Sequence, residues 1–275
     1  MKKQLILILL MLTLSANEME QKVYVDSIIE LKNFEEDEKI EKLINSLRKL
    51  NDIIIYDIDY NEKVAIAVGA DNSLKTRRLS SKNAYSLGIT LYSFDSGKHW
   101  HKSFGGDVPS EKVIVLEGTK AIAVGMMEGL GGQIEMTNNA GKDWKNVYLG
   151  GFMNDITQHS NGFFAVGYGI IKSKDGKKWQ TVLDGEKYTF NAIFSIDKKR
   201  LIVVYGNKIL YSEDSGKSWK KSQLPLILED VWLATIYKKK GKLYVSSHSN
   251  NLKIVSIDNG KSWKKVSQHK EDRIK

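Results

Sequence analysis

The stretch SFDSGKHW, Ser93–Trp100, sets a hydroxyl, a carboxylate, a glycine and an indole at fixed offsets. A carboxylate in such a setting has three chemical uses. It can act as an acid or base in catalysis, ligate a metal, or accept the amide hydrogens of a turn. The rest of the chain bears on the choice, because the pattern returns as TNNAGKDW (Thr137–Trp144), SKDGKKW (Ser173–Trp179, one residue shorter), SEDSGKSW (Ser212–Trp219) and SIDNGKSW (Ser256–Trp263). An active-site carboxylate is not needed five times over, whereas a structural turn is.

The box residues are Ser93, Asp95, Gly97 and Trp100, then Thr137, Asn139, Gly141 and Trp144, then Ser173, Asp175, Gly176 and Trp179. Ser212, Asp214, Gly216 and Trp219 form the fourth set, and Ser256, Asp258, Gly260 and Trp263 the fifth. The tryptophans are spaced by 44, 35, 40 and 44 residues, a period that signals a repeat architecture. The hydroxyl and the Asp can hold the loop by accepting backbone N–H groups, and the glycine permits a backbone angle that a side chain resists. Burying each indole against a neighbouring strand is worth about 2–3 kcal/mol by transfer.

Within a repeat, four short strands can be read. In the third they are NDITQ, GFFAVGY, GIIKS and KWQTVL, separated by Gly, Asn and Asp turn signals. The second strand recurs as AIAVGA, AIAVGM, FFAVGY and LIVVYG, near-continuous apolar runs that fit strands covered on both faces. The sequence therefore predicts an all-β chain. Its expected fold is a β-propeller of four-stranded antiparallel blades, five in number, with the box as the turn between third and fourth strands.

These residues resemble the Asp-box, or BNR repeat, of bacterial sialidases, xyloglucan hydrolases, sortilin-type receptors and the photosystem II assembly-factor family. The resemblance covers roughly residues 50 to 266. The AVG strand followed by a short turn and the box is most similar to the photosystem II assembly/stability-factor branch. That resemblance implies a non-catalytic scaffold that binds protein. It specifies a fold more than an activity, because box-bearing families differ widely in function.

The chain begins with Lys2 and Lys3, an apolar run from Leu5 to Leu12, and small residues near Ser15 and Ala16. That order reads as a secretory signal peptide over 1–16, with an uncleaved anchor as the alternative, and places the protein in the periplasm or outside the cell. No other apolar run is long enough to span a bilayer, so no integral span is expected after cleavage. With no cysteine there is neither a disulfide nor a cysteine-linked lipid, and the core alone must carry stability. The net charge of +9 is mostly lysine, which suits a soluble surface and favours acidic partners.

Residues 17–50 form a separate segment. FEEDEKIEKLINSLRKL, Phe34–Leu50, places Ile40, Leu43, Ile44 and Leu47 at helical intervals, with acidic residues first and basic ones last. This predicts one amphipathic helix packed on the propeller. The preceding KVYVDSIIELK is a candidate strand completing the last blade. The propeller occupies 51–268 and a tail 269–275, and a monomer is expected.

Function concentrates in long loops on rigid scaffolds. The connections at Tyr168-Gly169 and Gly206-Asn207 are tight, but MMEGLGG (Met126–Gly132) and the insertion Ala70–Gly88 are long. The insertion carries Lys75, Arg77, Arg78, Lys82 and Tyr85, a fork-type donor set for a carboxylate, or equally a solvated loop. With Met127, Glu128, His248 and Asn250 these make the candidate surface for a protein or acidic peptide. At the heads of the first strands, Asp52, Asp155, Glu229 and Asp230 either ring a polar channel mouth or cap the turns into each strand.

No catalytic set emerges. A sialidase needs an arginine triad from separate blades, and only Arg48, Arg77, Arg78, Arg200 and Arg273 exist. A glycoside hydrolase needs two carboxylates about 5–9.5 Å apart, which only the strand-head aspartates could supply. A carbohydrate-binding or glycoside-hydrolase propeller is thus the alternative function. His99 and His101 flank Trp100 as a weak two-ligand possibility, and no metal or other cofactor is expected. No aromatic-basic motif supports nucleic-acid binding.

Overall fold

A computed structural model describes residues 38–48, 50, 53–77, 84–103, 110–127, 131–160, 162–185, 189–226, 231–247 and 252–266. Five four-stranded antiparallel sheets make a five-bladed β-propeller, preceded among the described residues by one helix, α1 (Glu38–Leu47). Blade one is β1 (Ile53–Tyr60), β2 (Ala65–Arg77), β3 (Ala84–Ser93) and β4 (His101–Lys102). Blade two is β5 (Ser110–Val115), β6 (Ala121–Met127), β7 (Gly131–Thr137) and β8 (Lys145–Gly150). Blade three is β9 (Met153–His159), β10 (Gly162–Gly167), β11 (Gly169–Ser173) and β12 (Trp179–Leu183). Blade four is β13 (Phe190–Ser195), β14 (Leu201–Tyr205), β15 (Lys208–Ser212) and β16 (Lys220–Lys221). Blade five is β17 (Leu233–Lys239), β18 (Lys242–Ser247), β19 (Lys253–Ser256) and β20 (Lys264–Lys265). The presumed signal segment, the candidate strand before the helix and the tail lie outside the described residues.

The chain forms two compact units, Met1–Ala123 with Thr137–Lys145, and Val124–Met136 with Asn146–Lys275. In the first, the two faces of β2 have different covers. Ala65 and Ala67 join Ile89 and Leu91 in packing on α1, while Ile66 and Val68 pack on Val113, Ala121 and Ala123 of blade two. In the second, β14 repeats the arrangement. Leu201, Val203 and Tyr205 meet Phe164 and Val166 of blade three, and Ile202 and Val204 meet Leu243, Val245 and Ile254 of blade five. Coverage on both faces is why these second strands read as unbroken apolar runs. β18 breaks that rule, since buried Leu243 and Val245 alternate with half-buried Tyr244 and Ser246.

The described helix spans Glu38–Leu47, inside the predicted 34–50, and its apolar stripe is as expected: Ile40, Leu43, Ile44 and Leu47 are each at most 2% exposed. It has no basic residue in its last turn; Arg48 follows it and bonds Asn45 Oδ1 at 3.1 Å. Its packing explains why it is there. In blades two, four and five the box glycine lies against the second strand of the preceding blade: Gly141 on Ile66, Gly216 on Phe164, Gly260 on Ile202. Gly97 of blade one lies instead on Leu43 and Ser46 of α1. The helix gives blade one the neighbour that a preceding blade gives blades two, four and five.

The indoles are less uniformly buried than the repeat predicts. Trp263 is 4% exposed, whereas Trp100, Trp144, Trp179 and Trp219 are only half-buried. Trp263 Nε1 also donates to Gly260 O at 3.1 Å, while Trp219 Nε1 has no partner among the described residues. Trp263→Ala should therefore cost about 3–5 kcal/mol of unfolding free energy, and Trp219→Phe far less than Trp263→Phe, measured by denaturant melts. Equal losses for the two phenylalanine variants would contradict this ranking.

Candidate functional site

Each box folds by the same hydrogen bonds. The first-position hydroxyl donates to the third-position side chain: Ser93 to Asp95 at 2.8 Å, Thr137 to Asn139 at 2.8 Å, Ser212 to Asp214 at 2.8 Å and Ser256 to Asp258 at 2.7 Å. The same oxygen accepts the glycine amide, at 2.9 Å from Gly97, 3.1 Å from Gly141, 2.8 Å from Gly216 and 2.9 Å from Gly260. The Asp or Asn oxygen then accepts the amide four residues on, at His99, Asp143, Ser218 and Ser262. In the shortened third box, Asp175 Oδ1 takes both Lys177 and Lys178 amides instead, at 2.8 and 3.0 Å. The longer boxes hold two successive residues at positive φ, such as Ser215 at 59° and Gly216 at 78°, and only the second of each pair is a glycine.

These contacts fix the electrostatics of the boxes. The backbone and side-chain donors of His99 hold the Asp95 carboxyl well below the ordinary range. The Ser218 hydroxyl and amide lower Asp214 to about 2, and the amides of Lys178 and Lys177 lower Asp175. All remain ionised acceptors at neutral pH, with their oxygens committed to the turn. Neighbouring boxes are also tied by ions, since Glu213 binds Lys220 at 3.2 Å and Lys261 of the next box at 2.8 Å. Of the two histidines that flank Trp100, His99 lies in the turn, 2.6 Å from Asp95 Oδ2, and His101 lies on β4, stacked on Tyr92.

Among the described residues, the strand-head side chains Asn154, Asp155 and Asn191 are clasps between blades. Asp155 accepts the Ile193 amide of blade four at 2.8 Å and the Ile156 amide at 2.9 Å. Asn154 Nδ2 donates to Phe190 O at 2.8 Å, and Asn191 Nδ2 to Leu233 O at 2.7 Å. In the first unit, Asp57 and Asp59 accept the Val113 and Val115 amides of blade two. These bonds also correct the register of blade five. Its first strand begins at Leu233, equivalent to Phe190 and Met153, and not beside Glu229. Asp52, Glu229 and Asp230 lie outside the described residues. His159 is buried, its Nδ1 2.9 Å from Ser195 Oγ and its ring edge-on to Phe164, and burial lowers its basicity.

The insertion of blade one is built differently from a loop. β2 runs on to Arg77 and β3 starts at Ala84, with Lys75 opposite Ser86, Thr76 opposite Tyr85 and Arg77 opposite Ala84. A register shift between Asp71 and Lys75 begins this ribbon, and Lys102 holds Asp71 at 2.9 Å beside it. Lys75, Arg77 and Tyr85 thus sit on a paired hairpin extension, and Met127 ends β6. Arg78, Lys82, Glu128, His248 and Asn250 lie outside the described residues.

A further group was not predicted. On the face opposite the boxes, the second unit exposes Leu149, Phe152, Tyr168 and Trp232. Tyr168 N donates to Phe152 O at 2.7 Å, and the Tyr168 side chain closes over Gly151, where a Cβ would lie 2.6 Å from it. The repeat alignment could have found this group. Phe152, Thr189 and Trp232 each precede the buried first residue of a first strand: Met153, Phe190 and Leu233.

Fold and site together define a β-propeller whose box residues are architectural. Solved structures agree with that fold. YCF48 from Cyanidioschyzon merolae aligns over 78% of this chain and 85% of its own at TM-score 0.51 and 16% identity. YCF48 bound to D1 peptide aligns over 79% and 85% at TM-score 0.51 and 16% identity. A structure of the nidogen/laminin complex aligns over 74% and 76% at TM-score 0.53 and 12% identity. No protein-family model and no curated protein sequence matches the chain.

The box carboxylates carry a pH prediction. Asp214 falls from an ordinary 3.8 to about 2 in the folded protein, so its stabilisation is complete above 3.8 and is lost as pH drops towards 2. Asp214→Asn should melt at a lower temperature than wild type at neutral pH, with the gap narrowing as pH falls through that window. A gap independent of pH would contradict the assignment.

Proposed function

We propose that this chain is an exported, non-catalytic propeller that binds a protein partner, acting as an assembly or stability factor or a cell-envelope adaptor. The observation that carries this reading is how the candidate carboxylates among the described residues are used. Asp95, Asp155, Asp175, Asp214 and Asp258 all accept backbone amides inside turns and clasps. The exposed aromatic side chains Phe152, Tyr168 and Trp232 stand on the other face. Apolar groups held exposed on a rigid scaffold mark interaction sites. The propellers of similar fold include one solved with a bound peptide and one from a protein–protein complex, which supports the same class. Export rests on the signal-like N-terminal sequence.

On the sequence alone, Lys75, Arg77, Arg78, Lys82 and Tyr85 of the blade-one insertion, and Met127, Glu128, His248 and Asn250, remain proposed partner-contact residues. A carbohydrate-binding propeller is the second reading, favoured by one observation: exposed Trp232 and Tyr168 also suit stacking on a sugar ring.

The test is crosslinking of the exported protein in its own envelope extract, with a glycan array run in parallel. A reproducible protein adduct, weakened several-fold by Arg77→Ala with Arg78→Ala, and a silent array are the expected results. Array binding without an adduct would replace this function with the carbohydrate one.

A further inference from the structure

We infer that His159 is an acid-sensitive latch: its neutral imidazole ties blade three to blade four at the end where the boxes lie, and a proton on the ring releases that joint. The latch is independent of the partner-binding function. His159 ends β9 and Ser195 ends β13, and the two side chains meet at 2.9 Å between Nδ1 and Oγ. The ring is 4% exposed and stands edge-on to Phe164, with 5.7 Å between ring centres. Phe164 is in turn the side chain on which Gly216 of the blade-four box rests. The next residue, Ser160, adds a second tie, its Oγ donating to Lys198 O at 2.7 Å. Ser160 sits at φ 51°, a left-handed state that a serine keeps only while its surroundings hold it. Ser215 of the box reaches the same turn, its Oγ donating to Lys198 O at 3.2 Å and its amide to Lys199 O at 2.8 Å. One imidazole thus stands where strand, turn and box meet.

The joint fits only the neutral ring. His159 Nε2 is buried and has no partner among the described residues. With Nδ1–H donating to Ser195 Oγ, Nε2 keeps a bare lone pair, which costs less than a bare N–H. A proton at Nε2 would bring both a charge and an unmet donor into that buried place. The charged groups on the surrounding elements give it little support. Asp197 favours the proton, but its Oδ1 already takes the Lys199 and Arg200 amides and its Oδ2 the Arg200 guanidinium. In box four, Glu213 is bound to Lys220 and Lys261, and Asp214 to Ser218. In box three, Asp175 is bound to the Lys177 and Lys178 amides. Lys172, Lys174, Lys198, Lys199 and Lys217 are exposed cations, which oppose a further positive charge. Burial outweighs Asp197, so the folded ring holds its proton less tightly than the ordinary 6.5. The contribution of the latch is therefore whole above pH 6.5 and is lost as pH falls below it.

The experiment is an NMR titration of the whole protein, labelled in its histidine rings and backbone amides, from about pH 7.5 to about pH 5. At the upper end the His159 ring nitrogens should report the neutral Nδ1–H tautomer. The ring should titrate with a midpoint below 6.5, and the amide shifts of Ser160, Ser195 and Lys198 should move with that same midpoint. The Gly260 amide of blade five should not follow it. His159→Phe keeps an aromatic ring beside Phe164 and has nothing to titrate, so its Ser160, Ser195 and Lys198 amides should stay still across the range. Ser195→Ala removes the bond but keeps the imidazole: its ring should still titrate below 6.5, and its Lys198 amide should be displaced already at neutral pH. A wild-type midpoint at or above 6.5, amides that ignore it, or the same amide movement in His159→Phe would each overturn the inference. Collapse of the whole spectrum at that midpoint would overturn it too, because the change would then be global unfolding and not release of one joint.

Discussion

One hydrogen-bonded oxygen recurs through the structure: the first-position hydroxyl of each box, which donates to the acid or amide side chain two residues on and accepts the glycine amide. It holds a backbone that would otherwise resist its conformation. Ser96, Ala140, Ser215 and Asn259 all sit at positive φ without being glycine, a state that costs L-residues about 1–2 kcal/mol. The hydroxyl, the carboxylate and the packed indole offset that cost. In return the turn becomes a rigid plug. Ser93, Thr137, Ser173, Ser212 and Ser256 are all buried, which a solvated loop would not require.

The plug needs something to enter, and each neighbouring element provides it. Ile66, Phe164 and Ile202 receive the boxes of the next blades, and a side-chain bond reinforces the last docking, Ser222 Oγ donating to Gly260 O at 2.5 Å. The helix satisfies the same demand for blade one. Trp100 Nε1 donates to Ser46 Oγ at 2.8 Å, whereas Trp144, Trp179 and Trp263 donate to their own box glycine carbonyls. An amphipathic helix can stand in for a sheet because the box asks only for a small apolar dimple and one acceptor.

Much of this was legible in the sequence because repetition averages out local ambiguity. Five copies of the box located the turns, and the doubly covered second strands showed as apolar runs such as LIVVY. The helix followed from Ile40, Leu43, Ile44 and Leu47. What the sequence hid was partnership over long distance. Asp155 looks the same whether it faces a channel or bonds Ile193, 38 residues away. The insertion of blade one reads as a loop because its Lys, Arg and Ser residues are polar, yet strand pairing continues into it as far as Arg77 and Ala84. Glu229 fitted the pattern of strand heads by type, but the bond from Asn191 to Leu233 O fixes a different register. The exposed aromatics were obscured for the same reason, since their equivalence depends on that register.

The account stands on the box amides being locked in the native state. Amide hydrogen exchange followed residue by residue tests this at Gly97, Gly141, Gly176, Gly216 and Gly260, whose N–H groups point at buried hydroxyl oxygens. These five amides should exchange only through global unfolding, as slowly as the second strands of the blades, although they lie in turns. Exchange as fast as that of the neighbouring exposed lysine amides would show that the boxes are loose loops, and the structural role assigned to them would fail.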